Sequence, residues 1–185
     1  VAAQVIAKLK QRMKVLRVGD PLDKNTDVGA INSKEQLDKI TKLVASGVKE
    51  GADIFQPPGK LPARGWYFRP TIFSNVSLSH RIAREEVVGP VLATARAATL
   101  DEAIGQANRM ALGNMATIFT QSGRAAREFR ERVEAGMTGI NVPIAQPFAF
   151  FPFSGWKGSF YGDLHVHGTD GIEFFTRKKV VVTRW

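Results

Sequence analysis

With 185 residues, 44% of them hydrophobic and 23% charged, the chain can bury a core of its own and falls within the usual size of one domain, with room for an appendage. No apolar run reaches the ~18 residues of a membrane span, and the absence of cysteine removes disulfides, thiolate metal sites and thiol nucleophiles at once. The 26 Lys and Arg against 17 Asp and Glu give a net charge of +9, so an anionic partner has to be considered.

In VAAQVIAKLKQRM, Val1, Val5, Leu9 and Met13 recur every four residues, and Lys8, Lys10, Gln11 and Arg12 are polar, which predicts an amphipathic helix. The sequence opens inside that helix without an initiator Met and with no recognisable secretory signal or Ser-rich presequence, so a piece of a longer chain is expected. VGDPLDKNTDVGAINS is surface-loop punctuation. Ser33 and Gln36 then have capping-box spacing, Leu37, Ile40, Leu43, Val44 and Val48 form one apolar stripe, and Gly51 sits where the helix should end. ADIF is a short strand, PPGKLPARG a turn-rich loop, and YFRPTIFSNV an extended segment that Pro70 should confine to an irregular or edge position.

EEVVGPVLATARA reads as a buried strand bent at Gly89 and Pro90. Thr99 and Glu102 open a further helix with Leu100, Ile104 and Ala107 inward. MATIFT, SGRAAREFRERVEAG up to Gly136, and MTGINV continue as strand, helix and strand, the alternation of a parallel sheet with right-handed crossovers. From Pro143 the aromatic, Gly- and Pro-rich PIAQPFAFFPFSGWKGSFYGDLHVHGTDG has no period, and a loop of that length is usually functional. FFTRKKVVVTRW reads as a terminal strand that needs a partner edge. The fold class is α/β, an open parallel sheet with flanking helices.

Residue chemistry alone leaves several openings, most with a plain structural reading beside them. Glu85 and Glu86 could reach a ligand hydroxyl, or be a solvated acidic pair beside Arg81 and Arg84, which the spacing alone favours. FSGWKGSFYG with Lys157 could cradle an anion, but it matches no phosphate or dinucleotide glycine pattern, and a structural turn is favoured. A metal on His165 and His167 finds His80 far away in sequence. A Ser-His-Asp hydrolase built on Ser154 or Ser159 lacks nucleophile-elbow spacing. Nucleic acid is disfavoured because the basic residues are scattered among acidic ones, away from the aromatic cluster. No metal, nucleic acid or membrane is expected as a partner.

RVGDPLDKNTDVGAINS, PTIFSNVSLSHRIAREEVVGPVL and FSGWKGS, in this order, resemble the carboxy-terminal part of the aldehyde dehydrogenase superfamily. NMATIFT, GMTGINVPI and FSGWKGSFYGDLHVHGTDGIEFFTRKKVVVTRW look like its methylmalonate-semialdehyde dehydrogenase branch. The resemblance implies NAD-dependent oxidation of a small-molecule aldehyde through a cysteine thiohemiacetal, with the acyl group passing to coenzyme A in that branch and to water in hydrolytic members. It places the cysteine upstream of this sequence, so the chain alone is expected to be inactive. A non-catalytic assembly module without a nucleophile is the reading from a different class.

Residue by residue, the resemblance aligns Glu86 with the glutamate that binds the nicotinamide ribose hydroxyls. Val88 stands where many members carry an aromatic residue against the nicotinamide end. Phe153 matches the aromatic residue near the aldehyde pocket, with Ser154 in place of a glycine, and Ile144, Gln146 and Phe148 should line the substrate entrance. Residues 1–173 then belong to the catalytic domain and 174–185 to a strand that joins subunits of a cytoplasmic homo-oligomer.

Overall fold

A computed structural model describes all 185 residues. They divide into two units, Val1–Arg96 and Ala97–Trp185. No helix is long and apolar enough to cross a membrane.

The first unit contains α1 (Ala2–Met13), α2 (Lys34–Lys49), β1 (Asp53–Phe55), β2 (Thr71–Ser74), the single turn α3 (Arg81–Arg84) and β3 (Val91–Ala93). The α2 helix starts where its cap predicts, with Ser33 Oγ accepting from Gln36 N at 3.1 Å. It stops through Gly51 at φ +91°. There Gly51 N donates to the Val48 carbonyl at 3.1 Å and Ala52 N to the Gly47 carbonyl at 3.0 Å, the paired bonds of a Schellman ending. Its apolar stripe, Ile40, Leu43 and Val44, packs with Ala52, Phe73, Val76 and Ile82 into one buried cluster. The α1 stripe, by contrast, has no buried residue.

Two expectations for this unit are corrected. Pro70 does not confine its segment to an edge: β2 is the central strand, antiparallel to β1 and parallel to β3. Pro70 lies one residue before the strand, where its missing N–H interrupts no ladder bond, and the ladder begins with Thr71 N on the Pro90 carbonyl at 2.8 Å. The strand expected across EEVVGPVLATARA is confined to Val91–Ala93 and only half-buried, because residues 85–90 form an irregular loop instead.

The second unit contains α4 (Leu100–Asn108), β4 (Leu112–Gly113), β5 (Met115–Ile118), α5 (Gly123–Arg132), β6 (Met137–Ile140), β7 (Trp156–Lys157) and α6 (Gly168–Phe175). The β5 and β6 strands pair in parallel, from Met115↔Met137 to Ile118↔Ile140, while β4 and β7 are antiparallel. Ile104, Phe129 and Val133 of the α4–α5 side form the buried cluster, against Ala116 and Ile118 of β5. Thr99 caps α4 by accepting from Glu102 N at 3.1 Å.

The α5 helix ends at Arg132, ahead of the expected stop at Gly136. Gly136 serves packing instead: a Cβ there would lie 2.7 Å from the Ser154 carbonyl carbon and oxygen. Residues 143–171 are not structureless, since they include β7, a Phe153–Val166 bridge and the start of α6. Phe174 and Phe175 close α6, so the expected terminal strand loses its first two residues to a helix, and residues 176–185 have no ladder partner within this chain. Parallel pairs with flanking helices place the chain in the α/β class.

Candidate functional site

In the first unit the residues of interest lie on the loop between α3 and β3. Arg81 opens α3 with its N–H on the Glu50 carboxylate at 2.7 Å. Its guanidinium forms a fork onto Glu85, with Nε on one oxygen and Nη2 on the other at 3.0 Å. The hydrogen bond from Arg81 holds the Glu85 carboxyl below its ordinary range. Glu85 is therefore half of a surface ion pair with Arg81, the structural alternative that the spacing favours.

Glu86 differs from its neighbour. It is exposed, and no hydrogen bond or ion pair within the chain engages its carboxylate. The next residues are firmly held, however. Val87 packs against the buried cluster of α2 and β2, and the Gln36 side-chain amide donates to the Val87 carbonyl at 2.7 Å and the Val88 carbonyl at 3.0 Å. Val88 has φ +52°, a backbone conformation that β-branched residues rarely adopt, and its side chain is 59% exposed. An ionised carboxylate is acceptor-only. One that is unpaired and carried on an anchored loop is chemically suited to a ligand offering adjacent O–H donors, such as a ribose diol.

Gln36 is the residue that sequence reasoning missed. Its spacing from Ser33 marks a helix cap alone, and a contact 51 residues away leaves no trace in local spacing. The difference between Glu85 and Glu86 did leave one: Arg81 stands four residues before Glu85, the helical spacing for an ion pair.

The remaining sequence-predicted residues lie in the second unit. Ile144 and Gln146 are exposed, and no side-chain partner engages Gln146. Phe148 and Phe150 stack at 5.8 Å between centroids, with Phe151 tilted 4.7 Å from Phe150, and all three rings are largely exposed. Phe153 is half-buried, donates its N–H to the Val166 carbonyl at 2.8 Å and meets the His167 ring edge-on at 6.3 Å. An exposed apolar surface of this kind beside a loop suits a partly apolar ligand or partner.

Lys157, the possible anion ligand, is consumed structurally. Its Nζ donates to the Asn108 carbonyl at 2.6 Å at the end of α4, and pairs with Glu134 at 2.8 Å. Ser159 Oγ accepts from Gly113 N at 3.1 Å. His80 Nδ1 accepts from Ser77 N at 3.3 Å, and nowhere do three metal-ligating side chains converge.

Ser154, His165 and Asp170 do form a row, with Ser154 Oγ 3.2 Å from His165 Nε2 and Asp170 Oδ2 3.0 Å from His165 Nδ1. Ser154 leads into the two-residue β7 and not into a helix, so the strand–turn–helix elbow that presents a serine nucleophile is absent. The row fastens the two ends of residues 154–170, with Phe160 stacked on the His165 ring at 4.4 Å.

The hydrogen bond from His165 holds the Asp170 carboxyl below its ordinary range. A carboxyl depressed by folding stabilises the fold above its unfolded pKa of about 3.9, and that stabilisation is lost as pH falls through the lower, folded value. The protection of the amides of residues 153–170, measured against the intrinsic exchange rate at each pH, is accordingly expected to fall below about pH 4. Asp170→Asn should remove that acid-side dependence, and an unchanged acid limb in the variant would contradict the assignment.

The chain matches the model of the aldehyde dehydrogenase family over residues 1–181. A malonate-semialdehyde dehydrogenase of Halalkalibacterium halodurans is 41% identical over 187 residues, covering 100% of this chain and 39% of the relative. Another from Geobacillus kaustophilus is 42% identical over 188 residues, with 100% and 39% covered. Among solved structures, a methylmalonate-semialdehyde dehydrogenase from Oceanimonas doudoroffii superposes with a TM-score of 0.95 at 34% identity, over 99% of this chain and 38% of that one. The NAD complex of an aldehyde dehydrogenase from Pseudomonas syringae, which also holds octanal, superposes with a TM-score of 0.83 at 36% identity, over 92% and 35%. The chain thus spans about two fifths of the length of the curated relatives it matches.

Proposed function

The chain belongs to the aldehyde dehydrogenase family, and from that premise we propose that it forms part of an NAD-dependent enzyme oxidising malonate or methylmalonate semialdehyde to an acyl-coenzyme A. The observation that carries the proposal is the contrast between adjacent carboxylates: Glu85 is bound by Arg81, whereas Glu86 is unpaired on a loop anchored through Val87 and Val88. The two oxygens of Glu86 match the two O–H donors of a nicotinamide ribose in number and kind. NAD, when bound, supplies the hydride acceptor. The work of Glu86 is orientation, a large lever wherever a reaction depends on the alignment of two bound groups. Val88 offers exposed aliphatic surface beside it.

No cysteine occurs among the 185 residues, so the thiol required by the thioester route comes from outside them. In the same proposal Ile144, Gln146 and Phe153 contribute to the aldehyde side. Residues 174–185 carry the subunit contact of a cytoplasmic homo-oligomer, supported by the exposed run Val180, Val181 and Val182, a β-branched segment with no strand partner.

The test is an assay of the complete enzyme with each semialdehyde and NAD, with and without coenzyme A. Sustained NADH formation should require coenzyme A and yield the acyl-coenzyme A. Equal rates without it, giving the free acid, would replace this reading by a hydrolytic dehydrogenase.

A further inference from the structure

The net charge of +9 leaves cations that the site described above does not use. Lys157 is consumed by the Asn108 carbonyl and Glu134, whereas the side chains of Arg17 and Lys60 are exposed and engage no partner within the chain. Both line an open pocket of about 250 Å³ in the first unit, together with Arg69, and no acidic residue lines it. Pro57, Leu61 and Pro70 supply apolar wall.

Each cation is carried on fixed backbone. Arg69 donates from Nη1 to the Pro57 carbonyl at 2.7 Å and from Nη2 to the Gly59 carbonyl at 2.8 Å, which pins the turn that presents Lys60. Those bonds use two of the five guanidinium N–H groups and leave the positive charge in place. Arg17 is held through its main chain: its N–H donates to Asp27 Oδ2 at 2.9 Å, and its carbonyl accepts from Asp27 N at 2.9 Å and Val28 N at 3.0 Å. Asp27 thereby meets the Arg17 amide and not the guanidinium.

Strand directions locate the pocket. Since β1 is antiparallel to β2 and β3 is parallel to it, the chain leaving β1 at Gln56, entering β2 through Arg69 and Pro70, and entering β3 through residues 85–90 lies at one end of the sheet. Thr71 N on the Pro90 carbonyl at 2.8 Å ties the last two together. The cationic pocket therefore shares a sheet end with the loop of Glu86. A lone carboxylate suits O–H donors, and a pocket of unpaired cations suits the reverse, an acceptor-only dianion. A phosphomonoester is such a group at neutral pH, and coenzyme A carries one on its 3′-hydroxyl where NAD has none.

We propose that Arg17, Lys60 and Arg69 form a phosphate-binding pocket for the 3′-phosphate of coenzyme A. The inference rests on the reading of coenzyme A as the acyl acceptor, and gives that substrate a foothold apart from Glu86.

Calorimetry of the complete enzyme loaded with NAD, without aldehyde, compares coenzyme A with dephospho-coenzyme A, which lacks only that phosphate. The wild type is expected to bind coenzyme A about tenfold more tightly, because charge-assisted bonds favour it and solvent screening in an open pocket limits the gain. The preference should shrink toward unity at about 1 M salt. In the double variant Arg17→Gln, Lys60→Gln it should vanish through weaker binding of coenzyme A, with the affinity for dephospho-coenzyme A and the thermal midpoint at their wild-type values. Arg17→Lys, which keeps the charge, should retain most of the preference.

Equal binding of the two compounds by the wild type, or a preference that survives the double variant, overturns the inference and leaves coenzyme A standing as the acyl acceptor. Inorganic phosphate that binds in an Arg17-dependent manner without competing with coenzyme A overturns it too, and marks a site for free anions only. If coenzyme A does not bind and NADH forms at full rate without it, the reading of the function falls and the pocket's role with it.

Discussion

Phe73→Ala is expected to destabilise the first unit by about 3–5 kcal/mol, the range for deleting a buried aromatic side chain. Phe73 is 0% exposed, and β2 is flanked on both edges by β1 and β3. Its ring lies against α2 so closely that a Cβ on Gly47 would come within 3.0 Å of Cζ. A strand hydrogen-bonded on both sides cannot move to fill the space left by the ring, and Ile40 and Leu43 of α2 are themselves fully buried, so the cavity persists.

Hydrogen exchange of the α2 and β2 amides in the complete enzyme measures the loss, and Phe73→Leu, which keeps most of the volume, should cost less than about 1.5 kcal/mol. A change below about 1 kcal/mol in the alanine variant would mean that the region collapses around the deletion and that Phe73 is not its keystone. Because α2 also carries Gln36, the alanine variant should release the Glu86 loop as a secondary effect.

The elements legible in the sequence were those whose signals are local. Ser33, Thr99 and the stripe of Ile40, Leu43 and Val44 each act within one or two helical turns, and α2 and α4 begin where these residues predict. The segments misread are those decided by distant contacts. Pro70 is a breaker by type, yet its place one residue before β2 makes it harmless in a central strand. EEVV has the composition of a strand, but Gln36 and Ile40 draw the following peptides out of ladder geometry. The α6 helix begins at Gly168 after His167 at φ +75° and contains Gly171, so its start has none of the usual markers.

The same division explains the site. Residue type nominated Glu86, and family resemblance gave it a role, but only the fork of Arg81 on Glu85 separates the two carboxylates physically. Gln36 looked like half of a capping box because nothing in an S-x-x-Q spacing indicates where the side chain goes once the backbone half has formed.

Glu86→Gln in the complete enzyme is expected to lower kcat/KM for NAD about thirtyfold, with the KM for aldehyde unchanged; hydrogen bonds to a charged acceptor are worth roughly twice those to a neutral one. The amide keeps the shape and one acceptor oxygen, but its NH2 cannot accept from a ribose O–H, so that hydroxyl must turn to accept instead and the charge assistance of both bonds is lost. Glu85→Gln supplies the internal comparison. Its carboxylate is already committed to Arg81 on the exposed surface, and pairs of that kind contribute little, so NAD affinity should stay at the wild-type value. The two substitutions remove the same charge one residue apart, and long-range electrostatics would treat them alike once screened by physiological salt. Equal losses in both variants would therefore assign the effect to net charge near the cofactor, whereas a loss confined to Glu86→Gln assigns it to a direct bond from that carboxylate.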